Sequence, residues 1–279
     1  TLTTYLKNPE ISMVYLYLMK KARFWNIIFF LVWPVAAVAI SLIYGVSAFW
    51  SPFLFYGPLA ILLSFCHRKY VARTALISLL GLPLMIVVDY IAEVTGTWRW
   101  PLPASIFPFT LFNYVSVEVL IWIYFHFFLV ILFYEYFFDH HKKIKPAFTF
   151  RSSLFLRGVL VIFAVFVLLY LFFPSFVHIP YWYLIFGSLL LLPPIVLEEM
   201  RYPKVFLKIF KAGMYFLYLN LLYELTAIKL GWWSFPSGQF IGQVSFFGIQ
   251  FPFEEFFFWI VIFTMAILSF YEYFFDDER

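Results

Sequence analysis

Six acidic side chains lie inside strongly apolar stretches of this sequence, where an ionised group is costly. They are Asp89, Glu93, Glu118, Glu224, Glu254 and Glu255. An ionised carboxylate at the centre of a lipid-facing helix costs about 2.5 to 3.5 kcal/mol on insertion scales, so we expect these groups to face one another inside a bundle. Crowding and loss of water would then keep some of them protonated near neutral pH. The set would supply both proton donors and proton acceptors in a dry site.

Aromatic residues accompany these acids. Trp122 and Trp259 follow Glu118 and Glu255 by one helical turn. Further candidates for the same lining are Phe253, Phe257, Trp233 and Tyr114. Aromatic faces attract cations, most strongly where water is excluded. The pattern predicts a carbocation cage, in which a carboxylic acid protonates an alkene, ring faces stabilise the cation and a carboxylate removes a proton. The substrate would be an apolar polyene that enters from lipid.

The acids recur within an internal repeat. The hexapeptide Tyr-Glu-Tyr-Phe-Phe-Asp ends at Asp139 and again at Asp276, 137 positions later. Two further pairs coincide at that offset, namely Trp122 with Trp259 and Glu118 with Glu255. An offset of 135 aligns Gly96 with Gly231, Pro101 with Pro236 and Asp89 with Glu224. A repeat of this length indicates an internal duplication.

The composition indicates that the helices that carry these residues lie in a membrane. The chain is 65% hydrophobic and 12% charged, and its mean hydropathy is +0.92. A soluble domain carries about a quarter charged residues, so we predict an all-α integral membrane protein. About eight segments approach the 20 apolar residues that a helix needs to cross a membrane. They run roughly over 24–46, 52–65, 74–94, 109–138, 154–173, 181–197, 206–230 and 249–275.

The basic residues predict how these segments are oriented. Of the 19 lysines and arginines, 17 fall on one side of the predicted bundle, and Arg99 and Lys229 fall on the other. Because basic loops stay cytoplasmic, both termini are expected there, in a multi-pass protein of the cell membrane. Four helices per half make the repeat parallel, 4+4, with halves at 1–145 and 146–279 that form one joint bundle. The basic stretch 140–150 would link them.

One motif carries a resemblance to a known family. The run from Phe251 to Phe258, Phe-Pro-Phe-Glu-Glu-Phe-Phe-Phe, is preceded by Glu224, Gly231, Trp233 and Pro236 at characteristic spacing. It resembles the carotenoid (lycopene) cyclase family of the heterodimeric or fused membrane type, whose signature is Pro-x-Glu-Glu/Asp. The family is built from two related membrane-helical halves. The resemblance spans roughly 50–139 and 181–276.

The resemblance implies a non-redox cyclisation of a lycopene-type end group into a β-ionone ring. Catalytic roles carry over to Glu254 and Glu255 first, with Asp89, Glu118 and Glu224 in support. No cofactor is implied, and no Gly-x-Gly-x-x-Gly fingerprint is present in the sequence. The implied partners are the polyene substrate, membrane lipids and other enzymes of the carotenoid pathway.

Alternatives remain open at this stage. The first half keeps only Glu118 of the motif and lacks the proline, so a carotenoid hydratase that captures the same cation with water is one alternative. A proton-coupled transporter also buries carboxylates, although transporters commonly use inverted repeats. The net charge of +4 is too scattered for nucleic acid. The single Cys66 supplies neither a disulfide framework nor a metal site.

Ordinary structural roles would explain some of these residues. Glu254 and Glu255 could complement a helix N-terminus. The tryptophans at 98, 100, 232 and 233 would suit an interfacial belt. His126 follows Glu118 by two turns, and a lone histidine in a helix is usually a hydrogen-bonded structural residue.

Overall fold

The computed structural model describes residues 9–100, 106–107, 109–139 and 149–276, with the backbone alone over 9–22. The described chain is mostly helical. Predictions that fall on Pro101, on most of the linker at 140–148 and on the chain ends lie outside the described residues.

The first half contains five helices and one hairpin. They are α1 (Pro9–Tyr44), α2 (Ser51–Phe55), α3 (Gly57–Cys66), α4 (Arg68–Thr95), β1 (Thr110–Leu111), β2 (Val115–Ser116) and α5 (Val117–Phe137). The second half has α6 (Phe150–Phe172), α7 (Trp182–Phe186), α8 (Leu192–Arg201), α9 (Pro203–Leu230), β3 (Gln243–Phe246), β4 (Ile249–Pro252) and α10 (Phe263–Tyr271). A 3₁₀ turn covers Pro174–Val177, and three π-helical stretches cover Gly187–Leu191, Glu255–Ile262 and Glu272–Asp276.

Seven of the described helical segments are long and apolar enough to cross a membrane. They are Arg23–Tyr44, Arg68–Thr95, Val117–Phe137, Phe150–Phe172, Trp182–Arg201, Pro203–Leu230 and Glu255–Asp276. The remaining predicted span, 52–65, is instead two short helices, α2 and α3, which are separated at Tyr56. Each has a proline in its first turn, where a missing N–H is tolerated but from which a continuous helix does not extend backwards. The chain thus has the helices of a multi-pass membrane protein.

Two pairs of helices match in length and position. Both α4 and α9 have 28 residues and start 135 positions apart, and α3 and α8 have 10 residues at the same offset. Gly96 ends α4 with φ +68°, and Gly231 ends α9 with φ +67°. This left-handed conformation lets the chain reverse immediately after the helix, at little cost only for glycine. Each reversal returns the following segment over the helix end.

A β-hairpin precedes each of the two helical segments that carry the acid motif. Sequence predicted helices from residues 109 and 249, but strands β1–β2 and β3–β4 pair antiparallel there. Their turns place Phe112, Asn113, Phe247 and Gly248 at positive φ. The apolar composition of both hairpins hides them within the hydrophobic runs, so periodicity could not separate them from helix. In consequence Glu118 lies in the first turn of α5, not two to three turns below its start.

At one end of the bundle, polar contacts join helices that are distant in sequence. Arg23 donates to the carbonyl of Phe137 at 2.5 Å, and Asn26 donates to the hydroxyl of Tyr136 at 2.8 Å. Arg73 donates to the carbonyl of Phe275 at 2.7 Å. The start of the apolar span of α1, at Arg23, and the beginning of α4 therefore lie beside the ends of α5 and of the last helical segment. The acids named from sequence lie toward the opposite ends of these helices.

Candidate functional site among buried acids and tryptophans

An apolar cavity of about 680 Å³ lies among α4, α5, α7 and the π-helical stretch Glu255–Ile262. Its polar lining includes two carboxylic acids, Asp89 and Glu255, and the phenol of Tyr183. Its aromatic lining includes Trp98, Trp122, Trp233, Trp259, Phe258 and Phe263. An apolar wall with a few convergent polar groups is the usual lining of small-molecule sites in proteins.

Asp89 is held in the cavity wall by a tryptophan from the loop after its own helix. The indole Nε1 of Trp98 donates to Asp89 Oδ1 at 2.7 Å. The left-handed turn at Gly96 brings this loop back over the end of α4. Asp89 Oδ2 has no hydrogen-bond partner among the described residues. One carboxylate oxygen is thus fixed, and the other is available for a proton.

Glu224 repeats this arrangement on α9. Trp233 Nε1 donates to Glu224 Oε1 at 2.8 Å, nine residues later, as in the first pair. The two loops are also joined by backbone hydrogen bonds in both directions between Arg99 and Ser234, at 2.8 and 3.1 Å. The alignment of Asp89 with Glu224 therefore corresponds to a matched environment in the structure.

Glu255 connects the second acid to the cavity. Its carboxyl group interacts directly with that of Glu224, and Tyr183 Oη donates to Glu255 Oε2 at 2.7 Å. Tyr183 lies on α7, 72 positions away in sequence. Sequence reasoning missed this tyrosine, because one tyrosine in an aromatic-rich segment has no spacing that distinguishes it.

The other three acids hold loops rather than line the cavity. Glu93 accepts the backbone N–H of Trp100 at 2.7 Å. Glu118 accepts that of Ile106 and Glu254 accepts that of Ile241, each at 2.7 Å. All three carboxylates are buried. The prediction that they share one chamber with the others is therefore wrong for these three.

These contacts correct the sequence pairing of Glu118 with Glu255. Glu118 has the hydrogen-bonding environment of Glu254, because each accepts the N–H of a loop residue twelve or thirteen positions earlier. The offset between matched residues grows from 136 at this pair to 137 at Trp122 and Trp259. The π-helical stretch that starts at Glu255 accommodates an added residue, as π-turns do, frequently at functional sites. The added residue lies between Glu254 and Trp259.

Five tryptophans line the cavity, and three of the predicted lining residues lie elsewhere. The centroids of Trp122 and Trp259 are 4.6 Å apart, and Trp122 and Trp233 are 5.8 Å apart. The predicted lining residues that do not contact this cavity are Phe253, Phe257 and Tyr114. The two phenylalanines stack on each other at 5.8 Å, and the tyrosine is 42% exposed in the first hairpin.

An interfacial belt does not describe the tryptophans near the acids. Trp98 and Trp233 bind carboxylates, as above, while Trp100 and Trp232 are only 5% and 2% exposed. Trp232 Nε1 donates to the carbonyl of Val46 at 2.8 Å. The apolar loops that return over the helix ends therefore bury these indole rings, which the sequence alone assigns to the lipid boundary.

His126 lies in the aromatic core next to the cavity-lining residues. It is fully buried, and its ring is 4.8 Å from Trp259 and 5.7 Å from Phe263. Neither ring nitrogen has a hydrogen-bond partner among the described residues, so the expected hydrogen-bonded role is not found.

The repeated hexapeptide builds a separate polar cluster at the other end of the bundle. Tyr134 donates to Glu272, and Tyr271 donates to Glu135, so each copy binds the other. Arg73 lies 3.5 Å from Glu135. Sequence placed the hexapeptide acids at helix ends, and the structure buries them there.

Within the described residues, one group of acids could bring ligands to a cation. Glu135, Asp139 and Asp276 each offer an oxygen within 4.8 Å of the others. Arg73 and Lys208 already pair with Asp276 and Asp139, each at 3.3 Å. These side chains supply the positive charge, so we interpret the cluster as an ion-pair network.

No protein-family model, no curated protein and no solved structure matches this chain. Its chemistry therefore has to be argued from the site itself. The site combines carboxylic acids, an apolar cavity and closely packed indole rings. This combination can protonate an apolar substrate, stabilise a cation and remove a proton.

Proposed function

We propose that this protein is a membrane-embedded carotenoid cyclase. It would convert an acyclic, lycopene-type end group into a β-ionone ring without net redox change, as an intramolecular lyase or isomerase. The observation that carries the proposal is that Asp89 and Glu255 line one apolar cavity together with five tryptophans. The family resemblance of the Pro-Phe-Glu-Glu motif at Pro252 supports the same conclusion.

The proposal includes a parallel 4+4 duplication in the cell membrane, with both termini cytoplasmic. Support comes from the equal lengths of α4 and α9, their glycine caps and the two Trp-to-acid hydrogen bonds. Basic residues such as Arg23 and Arg73 lie at the end of the bundle opposite the acids. That end would face the cytoplasm.

The reaction moves one proton in and one proton out. Protonation at C2 of the terminal C1=C2 double bond produces a tertiary cation at C1. The C5=C6 double bond then attacks C1, which forms the C1–C6 bond and transfers the cation to C5. Loss of the proton from C6 creates the C5=C6 double bond of the ring. The product is an isomer of the substrate.

The acid positions suggest distinct roles. Two carboxyl groups in direct contact in a dry site repel each other unless they hold a proton between them, so Glu255 and Glu224 suit the proton donor. Tyr183 orients Glu255 toward the cavity. Asp89, fixed by Trp98, has an oxygen available to accept the proton from C6.

The aromatic wall has an electrostatic role. Trp122, Trp233 and Trp259 line a cavity that is almost wholly apolar. Cation–π attraction reaches about 2 kcal/mol or more per contact when the cation is desolvated. Exclusion of water also favours proton loss over hydration, so a cyclase fits this cavity better than a hydratase.

Expression in a lycopene-producing bacterium, followed by pigment analysis, tests the proposal. We expect β-rings with the wild type and unchanged lycopene with Glu255→Gln, at equal levels of inserted protein. Hydroxylated acyclic products would replace the cyclase by a hydratase. Unchanged lycopene with folded wild-type protein would overturn the enzyme assignment and favour proton-coupled transport.

A further inference from the structure

A second apolar cavity, of about 640 Å³, continues from the first along the bundle. Four residues line both cavities, namely Met85, Phe186, Leu191 and Phe263. The second cavity has an almost entirely apolar lining and ends beside Tyr271 and Phe275. Its far end therefore lies near the hexapeptide cluster, away from the acids.

The two cavities are lined by continuous helix faces. On the last helical segment, the lining residues follow one another at spacings of one to four positions, at 255, 258, 259, 263, 266, 267, 270, 271 and 275. Helix α4 contributes 77, 81, 84, 85 and 89, and α5 contributes 119, 122, 123, 127 and 131. Residues three and four apart share a helix face. Three helices thus each present one face to both cavities, and the two adjacent cavities together are called the channel.

The channel is long relative to a single ring. At 1.5 Å per residue, the lining faces of α4, from Ile77 to Asp89, and of α5, from Val119 to Ile131, each extend roughly 18 Å. The acids are confined to one end, since Asp89 and Glu255 line only the first cavity. An occupant that fills the channel must therefore be an elongated apolar molecule with its reactive end among the tryptophans.

We propose that the second cavity binds the unreacted polyene chain while the end group lies between the acids. This inference rests on the proposed function and assigns its substrate length. Small residues such as Gly81 and Ala266 keep the second cavity open. The Phe127 ring already lies so close to Gly81 that a Cβ there would approach it to 2.6 Å.

Two leucines on α4 provide a matched pair of variants. Leu84 and Leu82 are both half-buried, but only Leu84 lines the second cavity. We expect Leu84→Trp to weaken retention of lycopene by purified protein about tenfold or more, read as quenching of tryptophan fluorescence. Leu82→Trp should behave as the wild type. A shortened substrate with the same end group should react equally well with all three proteins.

The outcomes separate the channel from the chemistry. Equal lycopene retention by the two variants would overturn the channel while leaving cyclisation intact. Equal displacement of lycopene by a saturated hydrocarbon of the same length would also overturn it, since the cavity would then be an acyl-chain site. Failure of the wild type to cyclise any substrate would overturn the proposed function, and selective loss of retention in Leu84→Trp would still support an elongated polyene site.

Discussion

Tyr183 donates its hydroxyl hydrogen to Glu255 at 2.7 Å, across the cavity wall from α7 to the π-helical stretch. This hydrogen bond occupies one carboxyl oxygen of Glu255, while Glu224 contacts the same carboxyl group. The acid is thereby held against the cavity by two segments distant in sequence. Its orientation depends on tertiary packing, not on the local motif.

Removing the hydroxyl group of Tyr183 should therefore affect the rate of cyclisation more than folding. Hydrogen bonds to charged groups contribute about 1.5 to 3 kcal/mol, so we expect Tyr183→Phe to slow cyclisation about 10- to 100-fold. The phenyl ring would still pack against Trp98, 5.2 Å away. Initial rates of ring formation in membranes, normalised to inserted protein, measure the effect. A rate equal to the wild type would show that Tyr183 does not orient Glu255.

Glu254 and Glu118 should behave as loop anchors. A glutamine keeps the carbonyl oxygen that accepts the N–H of Ile241 or Ile106. We therefore expect Glu254→Gln and Glu118→Gln to retain activity within a fewfold of the wild type. Glu254→Ala should lower the free energy of unfolding by about 0.5 to 1.5 kcal/mol, since the N–H of Ile241 loses its partner.

Activity and thermal stability of the same detergent-purified samples distinguish these effects. Complete loss of activity in folded Glu254→Gln would place that acid in the chemistry, as the motif alone suggests.

Gly187 controls the shape of the cavity wall. A Cβ at this position would collide with the Phe258 ring, which lines the cavity. We expect Gly187→Ala to displace that ring and to reduce the cyclisation rate at least tenfold. Gly158→Ala is the matched control, because a Cβ there has nothing within 4 Å.

The control should be neutral or more stable by up to about 1 kcal/mol, the difference in helix propensity. Rates and melting temperatures of the two proteins should therefore diverge. Equal activity in both would mean that Phe258 does not shape the reaction space.

Arg73 should be essential for stability. Its guanidinium is buried between Glu135 and Asp276, and breaking a buried pair typically costs about 3 to 5 kcal/mol. We expect Arg73→Met to lower the free energy of unfolding by this amount. Lys208→Met should cost less, because the Lys208 side chain is 35% exposed. Denaturation in mixed micelles measures both, and a smaller loss for Arg73→Met than for Lys208→Met would contradict the network.

The sequence was sufficient for the features that depend on composition and spacing. Apolar run lengths predicted seven of the spanning segments, and aligned glycines located the matched caps at Gly96 and Gly231. The burial of all six acids was also predictable, because charged groups are costly in lipid, but only Asp89 and Glu255 line the cavity.

Other features depend on tertiary structure. Hairpins made of residues such as Phe112 and Phe247 are as apolar as the helices beside them, so hydropathy could not reveal them. The π-helical stretch that starts at Glu255 shifts the alignment of the two halves by one residue. Glu118 therefore matches Glu254 and not Glu255, which the sequence offset had predicted. Tyr183 reaches the site only because α7 packs across it.

Deuterium incorporation tests the central claim most directly. Lycopene incubated with purified protein in D₂O should yield β-rings that each carry one deuterium at C2, because an exchangeable carboxyl proton starts the reaction. Asp89→Asn and Glu255→Gln, folded and inserted as the wild type, should form no ring. Rings that lack deuterium, or unchanged ring formation in both variants, would contradict proton transfer by these two acids.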